Sequence, residues 1–310
     1  MMAASLELAH DLRERGVAQV TCDVSLATLT TLRVGGPADV LAVAEHDRDL
    51  AVIGEVCRLR GLPWLVVGRG SNLLISDTGW RGVAIMLGRG YRGIEVAASL
   101  DTVTAHIGAA EPLPAAVTRL AEYGAAGFAW ASAVPGTLGG AVRMNAGAHG
   151  GELGEHIVDV DLVRLDTGVR ETWLGDALSF GYRRSGVPFD GVVVRAQLTF
   201  DRQHPDVVAR QLTEIRQWRR EHQPLRYPNC GSVFTNPPGD SAGRLIEAAG
   251  LKGLRVGRAQ VSERHANFIV TSPGATAHDV AQLIATVQDR VAAQCGVELQ
   301  TEVVMVGAAS

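Results

Sequence analysis

Val134-Pro-Gly-Thr-Leu-Gly-Gly-Ala-Val-Arg-Met-Asn-Ala-Gly-Ala-His-Gly-Gly151 places six glycines between Pro135 and Gly151. That density lets bare backbone lie against a flat or highly charged ligand with no Cβ in the way. The stretch reads as a cofactor bed. A second glycine turn, Gly68-Arg-Gly-Ser-Asn72, follows the apolar run Trp64-Leu-Val-Val67, so its amide N–H groups can converge on an anion beyond a strand end. Together the two stretches point to an aromatic cofactor that carries phosphate. Neither is a Rossmann fingerprint: the second lacks the third glycine of GxGxxG and runs into Leu73-Leu-Ile-Ser76, more strand than helix. The chain contains no GxxxxGK[ST] phosphate loop and no GxSxG nucleophile elbow, which argues against kinase and esterase chemistry.

Outward from these loops, residues 45–61 set Leu50, Ile53, Val56 and Leu59 at helical spacing and stop at Gly61, predicting a helix that feeds a strand at 64–67. Val83-Ala-Ile-Met-Leu87 and Val103-Thr-Ala-His-Ile107 read as sheet with tight turns. Residues 111–123, with Pro112 and Pro114 early and Gly124 just after, read as a helix. Strands are expected at 158–165, where apolar and polar residues alternate, and at 192–200. His204-Pro-Asp-Val207 opens an amphipathic helix through Val208, Leu212, Ile215 and Trp218, ended by Pro224, so a domain boundary is expected between 201 and 228. Beyond it come a short helix over 243–250, a strand at 267–271, a helix over 280–294 behind the capping box Thr276-Ala-His-Asp279, and a final strand over 297–306.

With 310 residues, 46% of them hydrophobic, the chain can bury the cores of two or three domains. The net charge of −4 and the absence of a long Lys/Arg block argue against nucleic acid as a partner. The first 15 residues alternate charges with leucines, unlike an export signal, and no run of about 18 apolar residues offers a membrane span. Cys22, Cys57, Cys230 and Cys295 are far apart, as expected of reduced thiols in a cytoplasmic protein. The nine histidines form no HExxH or Cys/His cluster, so no metal is expected. His265 reads either as a structural histidine or as a ligand contact, and Cys230 as a bystander with no histidine near it in sequence.

Seven stretches, taken in order, resemble the UDP-N-acetylenolpyruvoylglucosamine reductases, the MurB family of cell-wall synthesis. They are Thr30-Thr-Leu-Arg-Val-Gly-Gly-Pro-Ala38, Gly68-Arg-Gly-Ser-Asn-Leu-Leu74, residues 134–152, Gly181-Tyr-Arg-Arg-Ser185, Cys230-Gly-Ser-Val-Phe-Thr-Asn-Pro237, Ala249-Gly-Leu-Lys-Gly253 and Leu299-Gln-Thr-Glu-Val303. The resemblance runs over nearly the whole chain. It implies an α+β fold of the vanillyl-alcohol-oxidase (PCMH) type. FAD-binding subdomains would cover 1–92 and 93–202, and a C-terminal substrate-binding domain 203–310, whose final strand would return Glu302 to the flavin. Family members bind the FAD pyrophosphate at the turn matching Gly68, Arg69, Gly70, Ser71, Asn72 and Leu73. They lay the ring system near the loop matching Pro135, Gly136, Thr137, Gly139, Gly140, Asn145, Ala146 and Gly147. No His or Cys stands at 69–71 to tether a flavin, so the FAD is expected to be noncovalent.

The implied reaction has two hydride steps: NADPH reduces FAD, and reduced flavin delivers hydride to the enolpyruvyl ether of UDP-N-acetylglucosamine, giving UDP-N-acetylmuramate for peptidoglycan. Arg183, Ser232 and Glu302 match the family's catalytic trio. An arginine can grip a carboxylate with two parallel donors and stabilise a developing dianion. A serine hydroxyl can protonate a strongly basic carbanion, and a carboxyl kept protonated by burial can polarise the intermediate. Tyr182, Asn236, Lys252 and His265 are the implied substrate-pocket positions. As residue types alone, Ser232 could instead cap a turn, Arg183 face solvent and Glu302 sit on an edge strand. The chain resembles the shorter subtype, since about ten residues separate Arg183 from the strand at Val192 and leave no room for a tyrosine-bearing insertion. Arg143 stands where a tyrosine is expected, either beside the flavin, where its charge would raise the potential, or in solvent. The rival on the same scaffold is a flavin-dependent oxidase of another small alcohol or hydroxy acid, which would not require the Ser232 segment. A monomer or weak oligomer is expected.

Overall fold

The computed structural model describes residues 2–307. They gather into two compact units. One comprises the residues up to Asp23 with Asp39–Gly68 and Gly82–Trp218; the other comprises Val24–Ala38, Arg69–Arg81 and the chain from Arg219 on.

In the first unit a five-stranded antiparallel sheet runs in the order Arg170–Leu174, Ile157–Arg164, Gly191–Asp201, Thr102–Gly108, Ile94–Ala98. The helix Leu113–Ala121 buries Leu113, Ala116, Val117 and Leu120, one apolar stripe at helical spacing, in a core shared with Val103, Ile107, Leu162 and Phe200. Val163, Leu165, Val192 and Val194 join a second core with the helix Asp47–Arg60 and the four-stranded sheet ordered Gln19–Ser25, Pro37–Ala44, Trp80–Leu87, Trp64–Val66. The strand Ile157–Arg164 is thus covered on both faces, and Val160, Asp161, Leu162 and Val163 are buried in succession. The alternation seen in the sequence does not become an inside and an outside, because neither face meets water.

The one charge in that run is held by its neighbours. Asp161 accepts hydrogen bonds from Arg170 Nη2 at 2.8 Å, Thr172 Oγ1 at 2.7 Å and Arg195 Nε at 2.9 Å. Burial alone would raise the Asp161 carboxyl, but the hydrogen bonds from Thr172 and Arg170 and the charges of Arg195 and Arg170 outweigh it and hold the group below its ordinary value. A carboxyl depressed in the folded state stabilises the protein above its unfolded pKa of ~3.9, and that contribution disappears as pH falls through the folded value. Asp161→Asn is therefore expected to lower stability by about 2 kcal/mol at neutral pH. In urea unfolding curves the gap to the wild type should close as acid protonates Asp161; a gap constant to strongly acid pH would contradict this.

In the second unit a four-stranded sheet runs Asn229–Ser232, Phe268–Thr271, Ala259–Val261, Arg255–Val256, and Val304–Val306 pairs in parallel with Leu73–Ile75. The helix Ala277–Cys295 packs Val280, Leu283, Ile284, Val287 and Val291 in a core with Leu32, Val34, Leu74 and Phe234. Its start carries the expected capping box of Thr276 and Asp279. Asp77 additionally accepts the N–H groups of Ala277 and His278 at 2.8 and 2.9 Å. The strand expected over 297–306 shrinks to Val304–Val306. Ahead of it, Glu302 N and Val303 N both donate to the Val233 carbonyl at 2.8 and 3.4 Å. Asn72 Nδ2 donates to the Glu302 carbonyl at 3.1 Å, so bonds from residues distant in sequence replace a ladder there.

Among the described residues no helix is long and apolar enough to cross a membrane, and no group of His, Cys, Asp and Glu could hold a metal ion. All four cysteines are free. Burial pushes the Cys57 and Cys230 thiols up to about 12, which leaves them protonated and unreactive at neutral pH.

Candidate active site

The glycine loop forms a short helix, Leu138–Arg143, entered from Thr137, whose Oγ1 accepts the Gly140 N–H at 3.5 Å. Gly136 and Ala146 are tied into the fold through their carbonyls, which accept Leu113 N and Leu153 N at 3.0 Å each, while Pro135 is exposed. The two glycine stretches meet at Gly68, where an added Cβ would lie 2.7 Å from Thr137 Oγ1. Gly139 is also fixed by packing, with a Cβ there falling 3.0 Å from the Ala109 Cβ. Gly140 is different. It is exposed, and a Cβ there would meet only Thr137 Oγ1, at an ordinary 3.6 Å. A glycine inside a helix costs about 1 kcal/mol relative to alanine, and the protein's own packing does not require it. Bare backbone at a place with room for a side chain fits a flat ligand laid on the helix, as the resemblance to flavoproteins implies.

From the same loop the chain builds a seat for Arg183. Gly181 and Arg184 pair through reciprocal 3.0 Å backbone bonds, making Gly181-Tyr-Arg-Arg184 a tight turn with Arg183 at φ +57°. A non-glycine residue in this left-handed region is strained by ~1 kcal/mol and persists only where its surroundings fix it. They do so here. Asn145, fully buried and itself at φ +40°, donates Nδ2 to the Gly181 carbonyl at 2.9 Å and accepts Gly154 N on Oδ1 at 2.8 Å. Its side chain is thus committed to the Arg183 turn. Arg183 Nη2 donates to the Gly147 carbonyl at 2.8 Å, and its guanidinium carbon lies 4.9 Å from the centre of the exposed Tyr182 ring. Gly147 must lack a side chain for this contact, since a Cβ would sit 3.0 Å from Arg183 Nη1 and 2.7 Å from the Gly151 carbonyl. The carbonyl of Gly147 lies at the base of a hairpin whose two tip residues, His149 and Gly150, both have positive φ, 51° and 87°.

The second unit gathers the other candidates. Ser232 ends the strand Asn229–Ser232 opposite Phe268, just after a register break at Gly231, whose φ is +78°. Such bulges re-aim the residue that follows. The Ser232 hydroxyl makes no hydrogen bond among the described residues, so it caps no turn. Glu302 is its neighbour through the bond from Glu302 N to Val233 O, and Asn72 spans the same segment, donating its Nδ2 to the Glu302 carbonyl and accepting Val304 N on its own carbonyl at 3.0 Å. Glu302 acts electrostatically on the Cys230 thiol, two residues from Ser232. The buried Asn267 holds the strand beyond Ser232, accepting Phe234 N at 2.9 Å and donating to Phe234 O at 2.8 Å. Gly70, at φ +57°, packs on the Leu29 carbonyl, while Arg69 is exposed, Ser71 is half-buried and Leu73 opens the pair with Val304.

Of the expected pocket positions, Asn236 is exposed and its Oδ1 accepts the Ala242 N–H at 3.1 Å at the start of the helix Ala242–Ala248. Lys252 Nζ pairs with Glu247 at 2.7 Å. His265 accepts Asn267 N at 3.3 Å and packs against Phe268 in a tilted contact with ring centres 4.6 Å apart; burial, then the Lys252 charge, lower its pKa and favour the neutral ring. A cleft of about 510 Å³, lined by Glu45, Tyr91, Arg92, His106, Arg170 and Arg195 among others, contains none of these candidates. Of its charged lining, Arg170 is engaged by Asp47 and Asp161, and Arg195 by Asp161.

Comparison with known proteins bears on both units. Residues 38–173 match the family model of an FAD binding domain, and residues 223–306 match that of the UDP-N-acetylenolpyruvoylglucosamine reductase C-terminal domain. The UDP-N-acetylenolpyruvoylglucosamine reductase of Heliobacterium modesticaldum is 45% identical over 280 residues, covering 90% of this chain and 88% of the relative. That of Halalkalibacterium halodurans is 39% identical over 303 residues, covering 97% and 99%. The crystal structure of UDP-N-acetylenolpyruvylglucosamine reductase from Thermus caldophilus superposes with a TM-score of 0.81 at 35% identity, over 93% of this chain and 99% of that one.

Proposed function

The chain belongs to the UDP-N-acetylenolpyruvoylglucosamine reductase family, and we propose that it catalyses the NADPH-dependent, FAD-mediated reduction of UDP-N-acetylglucosamine enolpyruvate to UDP-N-acetylmuramate. The reaction supplies peptidoglycan precursor in the cytoplasm. The observation that supports this reading most strongly is the Arg183 turn, a strained arginine fixed by Asn145 and by the Gly147 carbonyl of the glycine loop.

FAD, when bound, takes up hydride from NADPH and makes it available to the enolpyruvyl double bond. The chain's own residues do the rest. The glycine positions Gly136, Gly139, Gly140 and Gly147, with Thr137 and the turn from Gly68 to Leu73, hold the cofactor noncovalently. Arg183 grips the substrate carboxylate and stabilises the negative charge that grows there. The Ser232 hydroxyl, which makes no hydrogen bond among the described residues, gives a proton to the α-carbon. Glu302, beside it in the fold, orients the reacting carboxylate. Tyr182, Asn236, Lys252 and His265 line the approach of the sugar and diphosphate. A flavin-dependent oxidase would keep the glycine beds but has no use for a serine proton donor next to Glu302.

Purified holoprotein is expected to consume NADPH rapidly only when the enolpyruvyl sugar nucleotide is present. Oxygen consumption with simple alcohols, and indifference to that nucleotide, would put the oxidase in its place. The cofactor bed has its own test. Gly140→Leu adds a side chain where the protein has room, so the apoprotein should melt no lower than the wild type. Its FAD affinity should fall about a hundredfold, ~2.7 kcal/mol, as read by flavin retained on gel filtration. Full flavin retention would remove Gly140 from the bed.

A further inference from the structure

Arg143 is half-buried and engaged by carbonyls of the protein itself. From the end of the helix Leu138–Arg143, its Nη1 donates to the carbonyls of Val187 at 3.0 Å and Pro188 at 2.7 Å. In the opposite direction Ser185 Oγ donates to the Arg143 carbonyl at 2.8 Å. Three hydrogen bonds thus join one residue of the glycine loop to the stretch that leaves the Arg183 turn. Residues 185–188 belong to no helix or strand; besides the Arg143 and Ser185 bonds they are held by Gly186 N donating to the Leu178 carbonyl, by Gly191 N donating to the Pro188 carbonyl and by the buried Val187. Upstream the same turn is held by Asn145.

The guanidinium is half-buried, and burial works against its charge; the charge of Asp190 acts the other way without an ion pair being formed among the described residues. A desolvated cation whose donors go to two neutral carbonyls fixes the position of those carbonyls. We propose that Arg143 is a positioning residue for Arg183, fastening the downstream half of its loop so that the strained turn and the Arg183 contact with Gly147 are kept. This rests on the role given to Arg183 above.

The test uses the holoenzyme and follows the two half-reactions separately by stopped flow. In Arg143→Met, flavin content and visible spectrum should match the wild type, and NADPH should reduce the flavin within about twofold of the normal rate. Reoxidation by the enolpyruvyl sugar nucleotide should slow about thirtyfold, the scale of a catalytic group misplaced by a fraction of an ångström to an ångström. Arg143→Lys keeps an ammonium with donors for both carbonyls and should recover most of that loss. Ser185→Ala should slow the same step about threefold, in line with one lost neutral hydrogen bond. Amide hydrogen exchange over 181–188 should quicken in Arg143→Met and return towards normal in Arg143→Lys. Unchanged reoxidation and exchange would overturn the proposal, as would equal slowing of both half-reactions with a shifted flavin spectrum, which would mean that the charge acts on the cofactor. If Arg143→Met does not fold, Ser185→Ala decides on the same readouts, and the absence of selective slowing in it overturns the proposal. A wild type that is not reoxidised by the enolpyruvyl sugar nucleotide would instead refute the proposed function, and the exchange measurement would still test the clamp.

Discussion

Ser232→Ala is expected to leave NADPH reduction of the bound flavin within about twofold of the wild type and to slow the second half-reaction ~10³-fold, the range for loss of a positioned proton donor. A serine hydroxyl is too weak an acid for most proton transfers, and it becomes useful only opposite a strongly basic carbon. That carbon exists only after hydride has added to the enolpyruvyl group, so the loss should fall on one half-reaction alone. The fold permits a clean test. Ser232 pairs with Phe268 through its main chain, and its hydroxyl bonds to nothing among the described residues, so alanine removes no structural bond. Equal damage to both half-reactions, or a lowered melting temperature, would make Ser232 a structural residue.

Removal of Arg183 is expected to be nearly as severe, and to separate activity from stability. Arg183→Gly takes away the guanidinium proposed to stabilise the developing charge, and the second half-reaction should fall ~10²–10³-fold with weaker substrate binding. The same change places glycine at φ +57°, where it is unstrained. Relief of ~1 kcal/mol of backbone strain offsets part of what is lost with the bond to the Gly147 carbonyl and the contact with the Tyr182 ring, so stability should fall by only about 1 kcal/mol. Arg183→Lys keeps a charge but not two parallel donors and should fall in between. A fully active Arg183→Gly would remove Arg183 from the chemistry.

Much of the fold was legible from local patterns. The helix ended by Gly61, the strands at Trp64–Val66 and Thr102–Gly108, and the capping box at Thr276 each follow from residues close in sequence. The glycine density of the loop is a local property, and so is the short helix Leu138–Arg143 that it forms. What escaped is nonlocal. The second unit takes in Val24–Ala38 and Arg69–Arg81, and its bond from Asn72 to Glu302 joins positions 230 apart; no periodicity reports such a closure. The Asp161 cluster left one faint mark, a carboxylate among buried valines and leucines, but its partners come from two other strands. Arg143 was visible as an unexpected cation, whereas its carbonyl acceptors are set by a loop without regular structure. The expected final strand is shortened because Asn72 and Val233, both distant in sequence, satisfy the backbone around Glu302, which strand propensity does not register.

The most direct measurement is an anaerobic single turnover. The enzyme is reduced with one equivalent of NADPH, freed of nucleotide and mixed with UDP-N-acetylglucosamine enolpyruvate. Flavin absorbance should return in full with one equivalent of UDP-N-acetylmuramate formed. Flavin that stays reduced until oxygen is admitted, with the sugar nucleotide recovered unchanged, would contradict the proposed reaction at its centre.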